Sequence, residues 1–432
     1  MSKIFFQITL FFFLFISSAI FTHGSINIPQ IEDDSFSGND LERGIEFPNT
    51  AKHITLIADL HTHSVFSDGH VWPNIRVAEA ERDGIDVLAV TEHLEYQPHF
   101  LDIPHKDRNR SFQEASLAAK EKNVIVISGA EITREIPAGH INAILIQDAN
   151  NLFEIDLTKK EDAERQVKEM LGDDEPWTNI DVINRYALTG MWPAESAIKE
   201  ANKQGAFLFW NHPNWLIQAP DGIARLSNFH INMIKKNWLH GIEVVNGDDY
   251  SEEAFQIAID NKLTLIGTSD VHNLIEWDYS HKKGEHRPVT LVFANNPNKE
   301  SFKRALMLGR TVVWYKNSLL GLKKNLLPLL DASLSISSGS YLPRSQILEL
   351  KIRNISDANF RLQNLSRFTF QNNDDFFEIP SHSTKTLEVK TIKKIDKITL
   401  SFRVLNALVS PKENAKINLQ YTIIDQQNKI NE

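Results

Sequence analysis

The chain has no cysteine among its 432 residues. Disulfide bonds, thiolate metal ligands, a cysteine nucleophile and a lipid-modified N-terminal cysteine are therefore excluded. Any metal site has to use histidine and carboxylate side chains. The chain also lacks an excess of positive charge, because its formal net charge is −10. Binding along a nucleic-acid polymer is not expected, since that requires clustered cations.

Long apolar runs are absent except at the N-terminus. Lys3 precedes an apolar run over residues 8–16, and small residues follow it at positions 17–19. This order is typical of a secretory signal peptide. We predict a signal peptide over residues 1–24 and a periplasmic or extracellular protein. The alternative is an uncleaved membrane anchor, since residues 4–21 are barely long enough to span a bilayer.

The remaining sequence divides into three parts. Residues 25–50 are polar and are predicted to form a lead-in. Residues 51–320 alternate short apolar runs with helical segments, which predicts parallel β-α units in a closed barrel or a doubly wound sheet. Strands are expected at 54–59, 87–91, 124–128, 141–146, 206–211, 242–246, 263–268 and 290–294, and helices at 73–83, 112–123, 194–204, 252–261 and 299–308.

The last part of the chain has a different pattern. Residues 330–432 contain short segments in which apolar and polar residues alternate, and no helix is expected after residue 320. This pattern predicts a β-sandwich accessory domain. Within the predicted barrel, the segment of residues 148–192 is longer than a connection between a strand and a helix requires. It is predicted to be an insertion near the mouth of the barrel.

The first predicted strand ends in a polar segment. Asp59, His61 and His63 follow its apolar residues, and Asp68 lies on the turn that comes next. Side chains alternate along an extended chain, so the two imidazoles point to one side and can bind one cation. A lone His-x-His segment is weak evidence for a metal, and hydrogen-bonded core histidines are the alternative.

Similar polar residues occur at the later strands. Active sites of β/α barrels lie at the carboxyl ends of the strands. The motifs Thr-Glu-His, Gly-Ala-Glu, Asn-His-Pro and Ser-Asp-Val-His fall at such ends, and Gly-His leads into a strand. Independent structural causes do not explain so many, so we predict a multinuclear metal site. Its predicted ligands are His61, His63, Asp68, His93, Glu131, His140, His212, Asp270 and His272.

These motifs, beginning with Asp-Leu-His-Thr-His-Ser and Ser-Asp-Gly, resemble those of the polymerase and histidinol phosphatase (PHP) superfamily. The resemblance covers residues 54–315. It implies a distorted seven-stranded β/α barrel that holds two or three divalent ions, and most characterised members hydrolyse phosphoesters. Three groups of ligands are implied: His61, His63, Glu131 and Asp270 for the first ion, Glu131, His140 and His212 for the second, and Asp68, His93 and His272 for the third.

Imidazole and carboxylate ligands suit Zn, Mn or Fe. Clustered divalent ions lower the pKa of a bridging water, so that hydroxide forms at neutral pH, and they also bind phosphate oxygens. Asp270 and His272 are the candidate proton carriers. Phosphate also favours cationic side chains, and we predict Arg110, Arg134 and Arg287 as substrate-binding residues at the barrel mouth. Solvated surface charge is the alternative for each arginine.

The predicted function is hydrolysis of a small phosphorylated molecule, either a phosphomonoester or a phosphodiester. An amidohydrolase-like metallohydrolase also begins with His-x-His, but the Asn-His-Pro and Ser-Asp-x-His motifs favour the phosphoesterase. A non-catalytic metal-dependent binding protein is a further alternative, against which the complete ligand set argues. No nucleic-acid polymer is expected as a partner, and no membrane span is expected apart from the signal peptide.

Overall fold

A computed structural model describes residues 44–176 and 178–423. The predicted signal peptide, most of the predicted lead-in and Trp177 lie outside the described residues. Within them, none of the helices combines the length and the apolar character needed to cross a membrane. The first described residues pack against the fold, since Ile45 and Phe47 belong to a buried cluster.

The N-terminal part of the described chain is mixed α/β. Its strands are β1 (Ile54–Asp59), β2 (Val87–Val90), β3 (Ile125–Ile132), β4 (Ile141–Ile144), β5 (Phe207–Trp210), β6 (Gly241–Asn246), β7 (Asp249–Tyr250), β8 (Thr264–Thr268), β9 (Val289–Ala294), β10 (Thr311–Tyr315) and β11 (Ser318–Leu320). Its helices are α1 (Pro73–Arg82), α2 (Arg110–Ala118), α3 (Lys160–Leu171), α4 (Ile180–Gly190), α5 (Ala194–Lys203), α6 (Asn228–Lys235), α7 (Glu252–Asn261), α8 (Ile275–Asp278) and α9 (Lys299–Met307).

The sheet runs in the order β9-β1-β2-β3-β4-β5-β6-β8. The pairs β1–β2, β2–β3, β5–β6 and β6–β8 are parallel. The predicted parallel β-α units therefore form part of the sheet, whereas the pairs β3–β4, β4–β5 and β1–β9 are antiparallel. Only a short loop joins β3 to β4, and a loop without a crossover helix reverses the chain direction.

The two ends of this sheet meet through β8 and β9. Thr290 Oγ1 accepts a hydrogen bond from Gly267 N at 2.9 Å and donates one to Gly267 O at 2.8 Å. A Cβ atom added to Gly267 would lie 2.2 Å from Val313 Cγ1. Glycine therefore allows β8 to approach β10 closely, and the barrel closes through side-chain hydrogen bonds and packing at this point.

The C-terminal part is all-β apart from one helix. Helix α10 (Lys323–Ser333) comes first, so the expectation of no helix after residue 320 is wrong. The strands are β12 (Leu334–Tyr341), β13 (Ile347–Asn354), β14 (Phe360–Asn364), β15 (Thr369–Phe370), β16 (Phe376–Ile379), β17 (Thr384–Lys390), β18 (Lys397–Ser410) and β19 (Glu413–Thr422). One sheet has the order β12-β13-β17-β15, and the other contains β16, β14, β18 and β19.

The two parts share a sheet and a core. Strand β11 pairs in parallel with β18, with Leu319 opposite Ala407 and Leu320 opposite Leu408. One buried apolar cluster contains residues from both parts, among them Leu319. Asn406 Nδ2 also donates to the backbone oxygen of Asn317 at 2.6 Å. The β-rich part is therefore joined to the barrel by continuous hydrogen bonding and packing.

Candidate metal centre

The ends of β1 and β8 are held together by the backbone. His63 N donates to Val271 O at 3.1 Å, and Asp270 N donates to His61 O at 3.0 Å. These bonds bring the His-x-His segment beside the Asp-x-His segment, although about two hundred residues separate them in sequence. The predicted ligands from the ends of β2, β3 and β5 reach the same place.

Four of these side chains surround one point. His61 Nε2 lies 3.0 Å from His63 Nε2 and 3.1 Å from Asp270 Oδ1. His63 Nε2 lies 3.2 Å from the same Asp270 oxygen. Glu131 places one carboxylate oxygen 3.6 Å from His61 Nε2 and the other 3.6 Å from His63 Nε2. This is the set that the resemblance implied for the first ion.

Hydrogen bonds to the opposite ring nitrogens orient these two histidines. His61 Nδ1 lies 2.9 Å from Glu243 Oε1, and His63 Nδ1 lies 3.1 Å from Ser67 Oγ. With the proton on Nδ1, each ring directs the lone pair of Nε2 toward the other ring and toward Asp270. Two lone pairs and a carboxylate oxygen about 3 Å apart repel one another unless a cation lies among them.

Glu131 also contacts the second group. Its carboxylate oxygens lie 2.6 Å from His93 Nδ1, 3.0 Å from His140 Nδ1 and 3.4 Å from His212 Nε2. His93, Glu131 and His140 lie close enough to hold one ion together. Because the same carboxylate also faces His61 and His63, the geometry suits a bridging ligand.

The third group surrounds Asp68. Its carboxylate oxygens lie 3.2 Å from His272 Nε2, 3.4 Å from His93 Nε2 and 3.7 Å from His63 Nδ1. These four side chains also lie close enough to hold an ion. The structure therefore brings all nine predicted ligands into one cluster, with His63 and His93 each facing two of the groups.

The residues present fit divalent cations. Three carboxylate oxygens, Asp68 Oδ1, Glu131 Oε2 and Asp270 Oδ1, are buried and accept no hydrogen bond. Buried polar atoms are normally paired, so such oxygens have to be satisfied by a bound group. His212 and Asp270 also have positive φ angles of 29° and 50°. Non-glycine residues adopt such angles at a cost, which is often found at functional sites.

The electrostatics of the cluster favour charged carboxylates. Burial alone would raise the pKa of Glu131, but His93, His140 and His61 outweigh it and hold the pKa well below its usual range. Burial lowers the pKa of His140 to about 4, although Glu131 opposes this shift. An ionised carboxylate and a neutral imidazole are the forms that bind metal.

Sequence reasoning missed the residues that orient the ligands. Glu243, in the middle of β6, contacts His61, accepts from His212 N at 2.7 Å and accepts from Thr268 Oγ1 at 2.7 Å. Asn211 Nδ2 donates to Glu131 at 2.9 Å. The signal for Glu243 is its position as a lone, fully buried acid among the apolar residues of a strand.

The three predicted substrate arginines do not line the cavity above the centre. Arg287 is buried and pairs with Asp59 at 3.2 Å and with Asp83 at 2.6 Å. The guanidinium of Arg134 pairs with Glu95. The guanidinium of Arg110 lies 5.1 Å from the Phe66 ring centre and 3.7 Å from Glu114. Ion pairing within the protein therefore engages all three.

A cavity of about 450 Å³ opens above the cluster. It is lined by the ligands Asp68, His93, Glu131, His140, His212, Asp270 and His272, together with Asn214, Trp215, Asn246, Gly247, Asp248, Asp249, Ser269, Asp278 and Tyr279. The volume suits a small molecule. The side chain of His272 is 31% exposed, so it faces this space.

The fold and the cluster define a β/α barrel protein whose clustered histidines and carboxylates could hold metal ions. A family model described as the PHP domain matches residues 59–162, and one described as an Ig-like domain matches residues 334–420. A two-domain protein of Bacteroides vulgatus, described as containing a predicted PHP-like metal-dependent phosphoesterase, is 33% identical in sequence. The similarity covers 88% of this chain and 98% of that chain, with a TM-score of 0.73. This chain belongs to the PHP family of metal-dependent phosphoesterases and carries a C-terminal Ig-like domain.

Two further similarities are narrower. A 5'-3' exoribonuclease of Haemophilus influenzae is 36% identical over 75 residues, which span 17% of this chain and 23% of that protein. A structure described as a putative metal-dependent phosphoesterase of Bifidobacterium adolescentis is 20% identical, with a TM-score of 0.35. That match covers 52% of this chain and 89% of the other.

Proposed function

We propose that this chain hydrolyses the phosphoester bond of a small phosphorylated molecule, a phosphomonoester or a phosphodiester. The observation that carries the proposal is the convergence of the nine predicted ligand side chains, among which three buried carboxylate oxygens accept no hydrogen bond. Family membership supports the same reaction class.

Two or three divalent ions are the proposed cofactors, with Zn, Mn or Fe favoured by the imidazole and carboxylate donors. His61, His63, Glu131 and Asp270 would hold the first. Such ions supply a lowered pKa for water and positive charge for phosphate oxygens. Glu131 would be shared with a second group that includes His93, His140 and His212, and Asp68 and His272 would complete a third.

The side chains of this protein position the ions and the substrate. Glu243 and Ser67 fix the ring orientations of His61 and His63, so that both Nε2 atoms face Asp270. Asp270 and His272 line the cavity and are our candidates for proton transfer to the leaving alcohol.

We propose that the mature protein acts in the periplasm or outside the cell. The apolar run at residues 8–16, preceded by one lysine and followed by small residues, supports a signal peptide. The net charge of −10 and the cavity volume of about 450 Å³ support a small substrate over a nucleic-acid polymer. Fractionation of the expressing cells tests the location, and a wholly cytoplasmic full-length protein would contradict it.

Metal content and activity test the proposal together. We expect purified protein prepared with divalent ions to contain two or three per chain and to hydrolyse a set of phosphomonoesters, phosphodiesters or cyclic phosphates. Replacing Glu131 with alanine removes the bridging carboxylate, so we expect activity to fall by about a thousandfold or more. Glu121→Ala, on an exposed residue, is the matched control.

Elemental analysis and circular dichroism accompany the assay. A Glu131→Ala protein that remained folded and kept full activity would refute the proposed mechanism. Protein that contained no metal after preparation with excess divalent ions would refute the proposed cofactors.

A further inference from the structure

Apart from the predicted ligands, the wall of the cavity carries acidic side chains. Asp248, Asp249 and Asp278 line it in addition to the metal-ligand carboxylates. Among the described residues that line the cavity, there is no lysine and no arginine. The distribution is unexpected for a site that binds phosphate, because cationic side chains usually contribute to phosphate binding.

Cations near this wall are few. Lys316 Nζ lies 3.1 Å from Asp248 Oδ1, so one of the three carboxylates has a partner outside the cavity lining. The guanidinium groups of Arg110, Arg134 and Arg287 are engaged by other acids. The positive charge for the phosphoryl group therefore has to come from the ions at the cluster, and the wall keeps its negative charge.

The orientation of a substrate in this cavity follows from these charges. The fully buried Glu131 lines the cavity and has an oxygen without a hydrogen-bond partner, which marks the cluster end as the place of the phosphoryl group. The alcohol part then lies toward Asp248, Asp249 and Asp278.

Resting on the proposed function, we infer that the alcohol part of the substrate carries no second anionic group, and that an ammonium group there is preferred. A second phosphate or carboxylate would meet three aspartates without a compensating cation in the wall. An ammonium group would be attracted by the same aspartates, and Asn214 and Asn246 supply polar contacts for an uncharged alcohol.

Binding of three small phosphonates, which cannot be hydrolysed as esters, tests this inference. The probes are 2-aminoethylphosphonate, ethylphosphonate and 3-phosphonopropionate, which differ in the charge opposite the phosphonate. Calorimetry on the metal-loaded full-length protein should give the affinity order ammonium, neutral, carboxylate, with about a tenfold step between neighbours. Replacing Asp248, Asp249 and Asp278 together with asparagine should reduce each step to less than about threefold.

The Asp260→Asn variant, which removes one negative charge from an exposed helix residue outside the cavity, is the control and should keep the order. Equal affinity for all three probes in the unmodified protein would overturn this inference and leave the proposed function standing. Preference for the carboxylate probe would also overturn it. Failure of every phosphonate to bind, with metal present, would refute the proposed function as well.

Discussion

Buried side-chain nitrogen and oxygen atoms without a hydrogen-bond partner all occur at or before Trp314 in the described chain. Between residues 315 and 423, which include the Ig-like domain, the structure shows none. In that domain, buried polar groups such as Asn354 bond within the domain, here to the backbone oxygens of Ala358 and Pro380 at 2.8 Å. In this stretch of the described chain, every buried side-chain nitrogen and oxygen atom therefore has a hydrogen-bond partner.

The metal centre is incomplete in the same respect. Asp68, Glu131 and Asp270 each have a buried oxygen that no donor of the described chain satisfies. Burying a carboxylate without a partner is costly, and cations bound at these oxygens would offset that cost. From this difference we expect substitutions at the cluster to change metal binding, and core substitutions in the Ig-like domain to change stability.

Removing a large core side chain from the Ig-like domain should have the largest effect on stability. Phe402 is fully buried and contacts Phe377 edge to face, with ring centres 5.7 Å apart. Phe402→Ala should lower the free energy of unfolding by about 3–5 kcal/mol, because it leaves a cavity. Phe376→Ala, at a side chain on the same domain that is 60% exposed, is the control and should change it by less than about 0.5 kcal/mol.

Denaturant unfolding measures the loss, and elemental analysis of the folded fraction measures the metal. We expect unchanged metal stoichiometry in Phe402→Ala. A loss of metal from protein that is still folded would show that the Ig-like domain also shapes the metal centre, and the separation of roles would be wrong.

A change at Glu243 should lower metal affinity and leave the stability of the metal-free protein nearly unchanged. Glu243 Oε1 lies 2.9 Å from His61 Nδ1 and fixes the orientation of that ring without lying in any of the three ligand groups. Glu243→Gln keeps the shape but removes the charge, so we expect metal affinity to fall about 10- to 100-fold. Glu121→Gln is the exposed control.

Titration with a divalent ion, read by calorimetry, measures this affinity. The free energy of unfolding of the metal-free protein should fall little, because Glu243→Gln also removes a buried charge. Unchanged metal affinity in Glu243→Gln would show that hydrogen bonding to His61 does not tune the centre.

Local sequence patterns predicted much of the fold. Strand β1 and helix α7 have the predicted bounds, 54–59 and 252–261, because each combines a clear apolar period with a recognisable end. Strand direction was not predictable in the same way. The antiparallel pairs β3–β4 and β4–β5 depend on contacts between distant segments, which no local period encodes.

At the candidate metal centre, too, local patterns predicted the residue types but not the contacts between distant residues. Residue type and position near the ends of strands were enough to select the nine predicted ligands that the structure brings together, including His140 before β4 and Asp68 on a turn. Partners of the arginines were not predictable, because Arg287 pairs with Asp59 and Asp83, which are more than two hundred positions away. Glu243 was missed because its role arises only when β6 lies beside the end of β1.

The smallest predicted effect is a change in stability with pH at the junction between the barrel and the Ig-like domain. His286 stacks on Trp314 with ring centres 3.4 Å apart, and its Nδ1 lies 2.9 Å from Arg287 O. Its Nε2 accepts from Asn317 N at 3.4 Å, and Asn317 in turn bonds to Asn359 of the Ig-like domain. Burial lowers the pKa of His286 to about 4.

Because the pKa of His286 is lowered in the folded protein, the stability of the protein should fall as the pH falls. Above pH 6.5, the ordinary pKa, the ring is neutral in both folded and unfolded chains, and its contribution to stability is fully present. As the pH falls toward 4, the unfolded chain binds the proton first, so stability is lost. Between pH 7 and pH 5.5 the loss should be about 1 kcal/mol.

His286→Phe isolates this contribution, because phenylalanine keeps the stacking on Trp314 but cannot titrate. Other histidines, including the metal ligands, titrate in both proteins, so the quantity to measure is the difference in unfolding free energy between them at each pH. That difference should shift by about 1 kcal/mol in favour of His286→Phe on going from pH 7 to pH 5.5. A difference independent of pH would mean that the ring is not held neutral, and that the junction opens to solvent more easily than its packing indicates.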